Sequence, residues 1–265
     1  VTFWSVATFA EAVPGGVVGL DVPEDVHKVT FNDKAQLIAD GRAILAIPLG
    51  IEPGTHSATL HHAMGSPQRR STRAIDVVAK AYPEQHLTIE NPRHVDPNPD
   101  DLARIRAESA EMRSAYRRTS GMPDGLAPFM QPVQGPISSL FGFRRVLNGK
   151  PRNPHSGLDI AAPTGTPIRS PAPGVVAAVG NYFFNGKTVL VDHGGGLVTM
   201  MCHMSEIAVA TGDPVTRGQR LGAVGATGRA TGPHLHWSVS MQGDRVDPQL
   251  AMAAINGSPA AAVSY

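Results

Sequence analysis

Between residues 13 and 98 short apolar runs alternate with turn-forming residues. Runs such as Ala43-Ile44-Leu45-Ala46-Ile47 are separated by Pro14-Gly15-Gly16, Asn32-Asp33, Asp40-Gly41 and Glu52-Pro53-Gly54. This is the signature of short strands and tight turns. At Asn98 the period changes: Leu102, Ile105, Ser109, Met112 and Tyr116 recur at steps of three and four, one face of a helix with Asn98 as its N-cap. Ser120-Gly121-Met122-Pro123-Asp124-Gly125 breaks that helix, and strand-like runs resume near Phe129. Val175-Val176-Ala177-Ala178-Val179, Thr188-Val189-Leu190-Val191, residues 197–201 and residues 235–239 follow, and Asp247-Pro248 closes the segment. The pattern predicts a mostly β protein: an N-terminal β-rich domain over residues 1–97, a helical linker over 98–127, a second, antiparallel β-sheet domain over 128–250 and a flexible tail over 251–265. The apolar stretch from Phe3 to Phe9, followed by Ala10-Glu11-Ala12, reads either as a first strand or as the end of a secretory leader lacking its basic start.

Composition narrows the function classes. With 28 glycines, 23 prolines and only 5% aromatics, tight turns are favoured over long helices. Lysine and arginine total 23 against 22 acids, a formal charge of +1, so no long-range field directs the chain to nucleic acid or an anionic membrane. No stretch of about 20 apolar residues is present to span a bilayer. Cys202 is the only cysteine, which excludes an intramolecular disulfide and a cysteine-rich zinc knot. Any metal must be held by histidine and carboxylate.

Among the 11 histidines, spacing singles out His155 with Asp159, then His203, then His234 with His236. On a strand, His234 and His236 share a face with Cα atoms roughly 6 to 7 Å apart, while Leu235 and Trp237 pack on the other side. One imidazole can then bind a metal with the other beside it, although an isolated pair reads equally as two exposed turn histidines. His155 and Asp159 need a turn, because Pro154 and Gly157 disfavour a helix and a straight strand would hold them roughly 13 Å apart. Ser156-Gly157 is the place for it, where glycine allows a positive φ or a bulge. Two imidazoles and one carboxylate suit zinc and leave a fourth position open, which implies catalysis; structural zinc usually closes its shell, commonly with thiolates.

Three blocks carry a resemblance. Asn153-Pro154-His155-Ser156-Gly157-Leu158-Asp159-Ile160-Ala161, Met201-Cys202-His203-Met204-Ser205 and Thr231-Gly232-Pro233-His234-Leu235-His236-Trp237 resemble, in order, the signature blocks of lysostaphin-type zinc metallopeptidases, the LytM family. The likeness spans residues 141–248 and implies a peptidase domain with an open groove. It implies Zn2+ held by His155, Asp159 and His236. It also implies that His203 and His234 form a catalytic pair that orients the attacking water, takes its proton and stabilises the oxyanion. Gly218, Gly222, Gly225, Gly228 and Gly232 match turn positions of the family. His193 is read as a hydrogen-bonded turn residue, and Cys202 as a small core residue whose thiol points away from His203. Arg144, Arg152 and Tyr182 have structural explanations as good as functional ones.

For substrate, lysostaphin's tyrosine shortly before the first zinc histidine has no counterpart at Gly149. Arg144-Arg145 and Tyr182-Phe183-Phe184-Asn185-Gly186 look more like Gram-negative envelope members of the family. The first half also resembles the β-domain preceding such peptidases. The resemblance therefore implies a D,D-endopeptidase that cuts D-alanyl–diaminopimelate cross-links, with peptidoglycan stems as its partner and the periplasm as its location. A regulatory protein partner is left open. Two alternatives stand beside it: a non-catalytic zinc-binding regulator of cell-wall amidases, which differs in class, and a secreted glycyl-glycine endopeptidase, which differs in substrate rather than in chemistry.

Overall fold

The computed structural model describes residues 12–67, 69–121 and 126–257. The leader-like residues up to Glu11, Met122 to Gly125 of the breaker cluster and the end of the tail lie outside the described residues. The chain is mostly β, as its turn-punctuated pattern requires, with two α-helices among the described residues.

In the first half, β1 (Val17–Asp21) pairs antiparallel with β3 (Arg42–Ala46), while β2 (Val26–Phe31), β4 (Gly54–His62) and β5 (Arg70–Val77) form a second antiparallel sheet. The uninterrupted apolar run in β3 has a direct cause: both of its faces are buried. Val18, Leu20, Ala43 and Leu45 join Val29, Phe31, Ala58, Leu60, Ile75 and Val77 in one cluster. Val17, Ile44 and Ala46, on the opposite face, pack instead into the large C-terminal cluster. The two halves are therefore joined by apolar packing. They are also joined by backbone: β6 (Glu84–Leu87) pairs in parallel with β8 (Arg144–Leu147), numbered after β7 (Ile137–Ser139).

Helix α1 (Pro99–Tyr116) starts where Asn98 predicts, with a full capping box in which Asn98 and Asp101 bond each other's backbone N–H. Its last turns, through Ala115 and Tyr116, pack on Ala177, Ala178, Leu190, Val198, Met200 and Cys202 of the C-terminal sheet. The expected apolar face fails at its start, where Leu102 is exposed. Along its first turns the helix is held by polar contacts to the end of strand 174–182 and the turn after it: Arg104 donates to the Asn181 carbonyl, Glu108 accepts from the Phe183 N–H and, further along, Glu111 accepts from the Tyr182 hydroxyl.

The C-terminal sheet runs β10 (Gly174–Tyr182), β11 (Gly186–Asp192), β12 (Leu197–Met204), β13 (His234–Met241), β9 (Leu158–Ala161) and β7, all antiparallel. One face buries Leu158, Ile160, Val189, Met201, Leu235, Trp237 and Val239, covered in part by α2 (Pro248–Ile255). The other carries α1 and, beyond it, Asp159 and His236. No helix among the described residues is long and apolar enough to cross a membrane.

His193 takes the structural role read from its sequence context. It is buried at the end of β11, with Nδ1 bonded to the Pro173 carbonyl and Nε2 to the Thr199 hydroxyl, each at 2.8 Å. Burial pushes its pKa down to about 4. The folded state thus binds fewer protons than the unfolded chain, so this stabilisation is complete above pH 6.5 and is lost as pH falls toward 4. The loss amounts to about 3 kcal/mol. Urea unfolding at pH 7 and pH 4, in chelator, is expected to show a larger drop for the native chain than for His193→Gln; equal drops would contradict it.

Candidate active site

The site is built as a row across neighbouring strands. Asp159 of β9 stands directly opposite His236 of β13, and His236 stands opposite Cys202 of β12. Directly opposed residues share a face. Period-two alternation sends Leu158, Ile160, Leu235 and Trp237 into the core, which leaves Asp159, His234 and His236 on the other side, as the His-x-His spacing predicts.

Cys202 is buried, as read, but its orientation is not the one expected. Register puts it on the side of His236, and His203 joins that side because its backbone turns left-handed (φ 61°). That conformation costs a non-glycine residue roughly 1 to 2 kcal/mol and breaks the strand alternation on which the sequence reading rested. Burial holds the Cys202 thiol far above its ordinary pKa, so it stays a protonated core residue.

His155 reaches the row from the bend at Gly157, so the expected turn is there, with a different reason for glycine. Gly157 does not adopt a positive φ; a Cβ on it would stand 2.6 Å from both His236 Nε2 and the Trp237 carbonyl oxygen. The residue is needed for close approach. Gly157→Ala is expected to push the His236 ring aside, costing about 1 to 3 kcal/mol of stability and about tenfold or more in zinc affinity. Melting and a competitive zinc titration check both; native affinity in a folded variant would contradict the account.

His155 Nε2, Asp159 Oδ1 and His236 Nδ1 converge: 2.9 Å from His155 to Asp159, 2.7 Å from His236 to Asp159 and 3.0 Å between the imidazoles. All three residues are buried. Their outer atoms fix their protonation. His155 Nδ1 faces the Leu140 carbonyl at 2.7 Å and must donate to it. The Ser238 hydroxyl donates its proton to the Ser156 carbonyl and so must accept from His236 Nε2 at 2.9 Å. A neutral imidazole has one N–H. Both rings therefore aim lone pairs at a carboxylate oxygen, a convergence that only a cation or a proton among them relieves. Zinc ligands at about 2.0 to 2.1 Å in a tetrahedron stand roughly 3.3 Å apart, so an opening of a few tenths of an ångström would admit zinc. Burial alone would raise the Asp159 pKa, but when the facing imidazole nitrogens carry a proton their charge and hydrogen bonds outweigh it and hold the carboxyl well below the ordinary range. Burial, ahead of all else, pushes His236 down to about 4. The group can hold a metal, and its donor atoms all lie within 4.8 Å of one another.

His203 and His234 flank it. Their rings are 4.8 Å apart, and His234 Nε2 is 3.9 Å from Asp159 Oδ1. His203 Nδ1 donates to the Thr227 carbonyl and His234 Nδ1 to the Gly232 carbonyl, each at 2.8 Å. Each neutral ring thereby keeps its Nε2 as an acceptor. Burial, reinforced by His234 and His236, holds His203 down at about 3.

Behind these five stand groups that spacing does not single out as part of the site. Arg145 donates to Asp159 Oδ2 at 2.9 Å and to the Ser139 hydroxyl, which donates to Gln85 Oε1 and lies 3.3 Å from His155 Nδ1. Ser238 was legible, since His234, His236 and Ser238 share one period of two. Arg144, Arg152 and Tyr182 do not join the cluster: Arg144 bonds the Tyr82 carbonyl, Arg152 the Val95 carbonyl and Asp96, and Tyr182 bonds Glu111.

A His-Asp-His group with two further histidines beside it is the arrangement of a metallopeptidase. The sequence model of peptidase family M23 matches residues 153–248. A crystal structure from Pseudomonas aeruginosa assigned to peptidase M23 is 41% identical, with a TM-score of 0.73 over 93% of this chain and 96% of that one. The chain belongs to peptidase family M23. It is also similar to the peptidoglycan DD-endopeptidase ShyA of Vibrio cholerae, 42% identical over 116 residues, which are 43% of this chain and 27% of that protein. The DD-carboxypeptidase/endopeptidase Mpg of Neisseria meningitidis is 41% identical over 112 residues, 42% of this chain and 26% of that protein. The match thus spans about a quarter of the length of these curated relatives.

Proposed function

We propose that this chain is a zinc metalloendopeptidase of the periplasm that hydrolyses D-alanyl–diaminopimelate cross-links of peptidoglycan. The observation that carries the reading is the convergence of His155 Nε2, Asp159 Oδ1 and His236 Nδ1, with both imidazoles tied by their far nitrogens so that lone pairs face inward. The substrate class comes from the similarity to ShyA and Mpg, whose names state DD-endopeptidase activity.

In this reading His155, Asp159 and His236 hold the metal, and Arg145 keeps the second carboxylate oxygen of Asp159 turned away from it. Zinc, when bound, supplies Lewis acidity that makes water nucleophilic near neutral pH and polarises the scissile carbonyl. His203 and His234, fixed through Nδ1, direct their Nε2 atoms to the reaction side. They accept the proton released as water attacks and return it to the departing amine, and an imidazole carrying that proton stabilises the oxyanion. Burial of the cluster keeps competing water from the ligands and strengthens these interactions.

Digestion of a purified D-alanyl–diaminopimelate cross-linked dimer beside a pentaglycine peptide tests the substrate. Cleavage of the dimer alone is expected. Cleavage of pentaglycine alone would replace the substrate class, and metal binding without cleavage of either would favour a regulatory protein.

A further inference from the structure

Arginine in a folded protein is mostly exposed or paired; Arg229 is neither. It is half-buried, two residues beyond Thr227, whose carbonyl fixes His203, and five before His234. Among the described residues its guanidinium makes one hydrogen bond, a long one of 3.3 Å to the His94 carbonyl, and lies over the Phe184 ring at 4.3 Å. No carboxylate pairs with it there. The charges that reach it are those of Arg145 and Arg152, and burial followed by these two cations lowers its pKa to about 10, still protonated at neutral pH. Arg145 is matched by Asp159 at 2.9 Å and Arg152 by Asp96 at 3.4 Å, so Arg229 is the uncompensated member of the trio.

Its backbone is held firmly. The Arg229 N–H donates to the Phe184 carbonyl at 2.8 Å, and a Cβ on Gly228 (φ 73°) would stand 2.4 Å from the Gly186 nitrogen. Half-burying a cation without a partner is costly unless something anionic completes it. A guanidinium with free donors in a fixed fork matches a carboxylate, which it can bind through two parallel bonds. In a D-alanyl–diaminopimelate cross-link, the carbon bearing the bridging nitrogen also bears a free carboxylate. A glycine bridge has none at that place.

We infer that Arg229 is a specificity-determining residue that receives the free diaminopimelate carboxylate flanking the scissile amide, an inference that rests on the cross-link reading above. Arg229 thereby selects diaminopimelate cross-links over glycine bridges and over cross-links whose carboxylate has been converted to an amide. The cleft beside it, about 290 Å³ and lined in part by His94, Phe183 and Gly228, gives the rest of the stem a place against the same wall.

The test compares two dimers that differ only in that group, free acid and amide, with kcat and KM measured separately on the zinc-loaded full chain. The native chain is expected to prefer the free acid by tenfold or more in kcat/KM, mostly through KM. Arg229→Gln is expected to lower kcat/KM on the free acid about 10- to 100-fold, the range of a lost charged hydrogen bond, and to bring the ratio of the two dimers near one. Arg229→Lys should keep part of the preference. An unchanged ratio in a folded Arg229→Gln, or equal slowing of both dimers, would overturn the inference. So would a native chain that cuts both dimers alike, a result independent of whether any variant folds. Failure of the native chain to cut either dimer would instead remove the cross-link reading, and this inference with it.

Discussion

Asp159→Ala is expected to lose bound zinc and turnover together, with zinc affinity falling by more than the 10- to 100-fold typical of an outer partner. Two imidazole donors would remain, without the charge that offsets a dication. Stability should also fall. Asp159 and Arg145 are mostly buried, and removing one partner of a buried pair costs about 3 to 5 kcal/mol. Asp159→Asn separates the two effects, because the amide oxygen can still accept from Arg145 while the ligand charge is gone. Zinc per protein, measured with calorimetric melting, should show metal loss in both variants and the larger melting drop in Asp159→Ala. Retention of stoichiometric zinc by Asp159→Ala would remove Asp159 from the ligand set.

The His203→Ala and His234→Ala variants should behave in the opposite way, keeping zinc while kcat falls about 10²- to 10⁴-fold, the usual contribution of a positioned acid or base. KM should change little, because both imidazoles act on protons that move in the transition state. The double variant is expected to lose far less than the product of the two single losses, since the rings stand 4.8 Å apart and serve one proton transfer. Zinc loss in either single variant would make that histidine a ligand. Unchanged turnover in both would leave the metal cluster without its proposed proton acceptors.

Local periodicity made much of this centre legible. Alternation alone separates His234, His236 and Ser238 from Leu235 and Trp237, and the same rule turns Asp159 away from Leu158 and Ile160. The spacing of His155 and Asp159 demanded a turn, and the bend lies at Gly157. What sequence could not carry were contacts set by tertiary packing. Glycine at 157 answers to the His236 ring and the Trp237 carbonyl, not to its own φ. Cys202 and His203 came out on one face because the left-handed backbone of His203 interrupts a rule that assumes a continuous strand. Gln85 and Ser139 meet behind His155 only because residues 84–87 pair in parallel with 144–147, a long-range match with no local signal. Leu102 continued a helical period but stays exposed, because the helix there is held by polar contacts to residues 181–183 instead of apolar packing.

That support from the first half bears on experiments with fragments. A chain beginning near residue 128 would lose Gln85, the β6 partner of β8 and the α1 cover over Met200 and Cys202. Low activity in such a fragment would report this lost packing, so the full chain is the proper subject.

The most direct measurement is release of monomeric muropeptides from purified cross-linked sacculi by the full chain, stripped of metal and then titrated with zinc. The account predicts no release by the stripped protein, and release that rises with added zinc and saturates near one ion per chain. Equal release before and after zinc, or saturating zinc binding with no release from any sacculus, would contradict it.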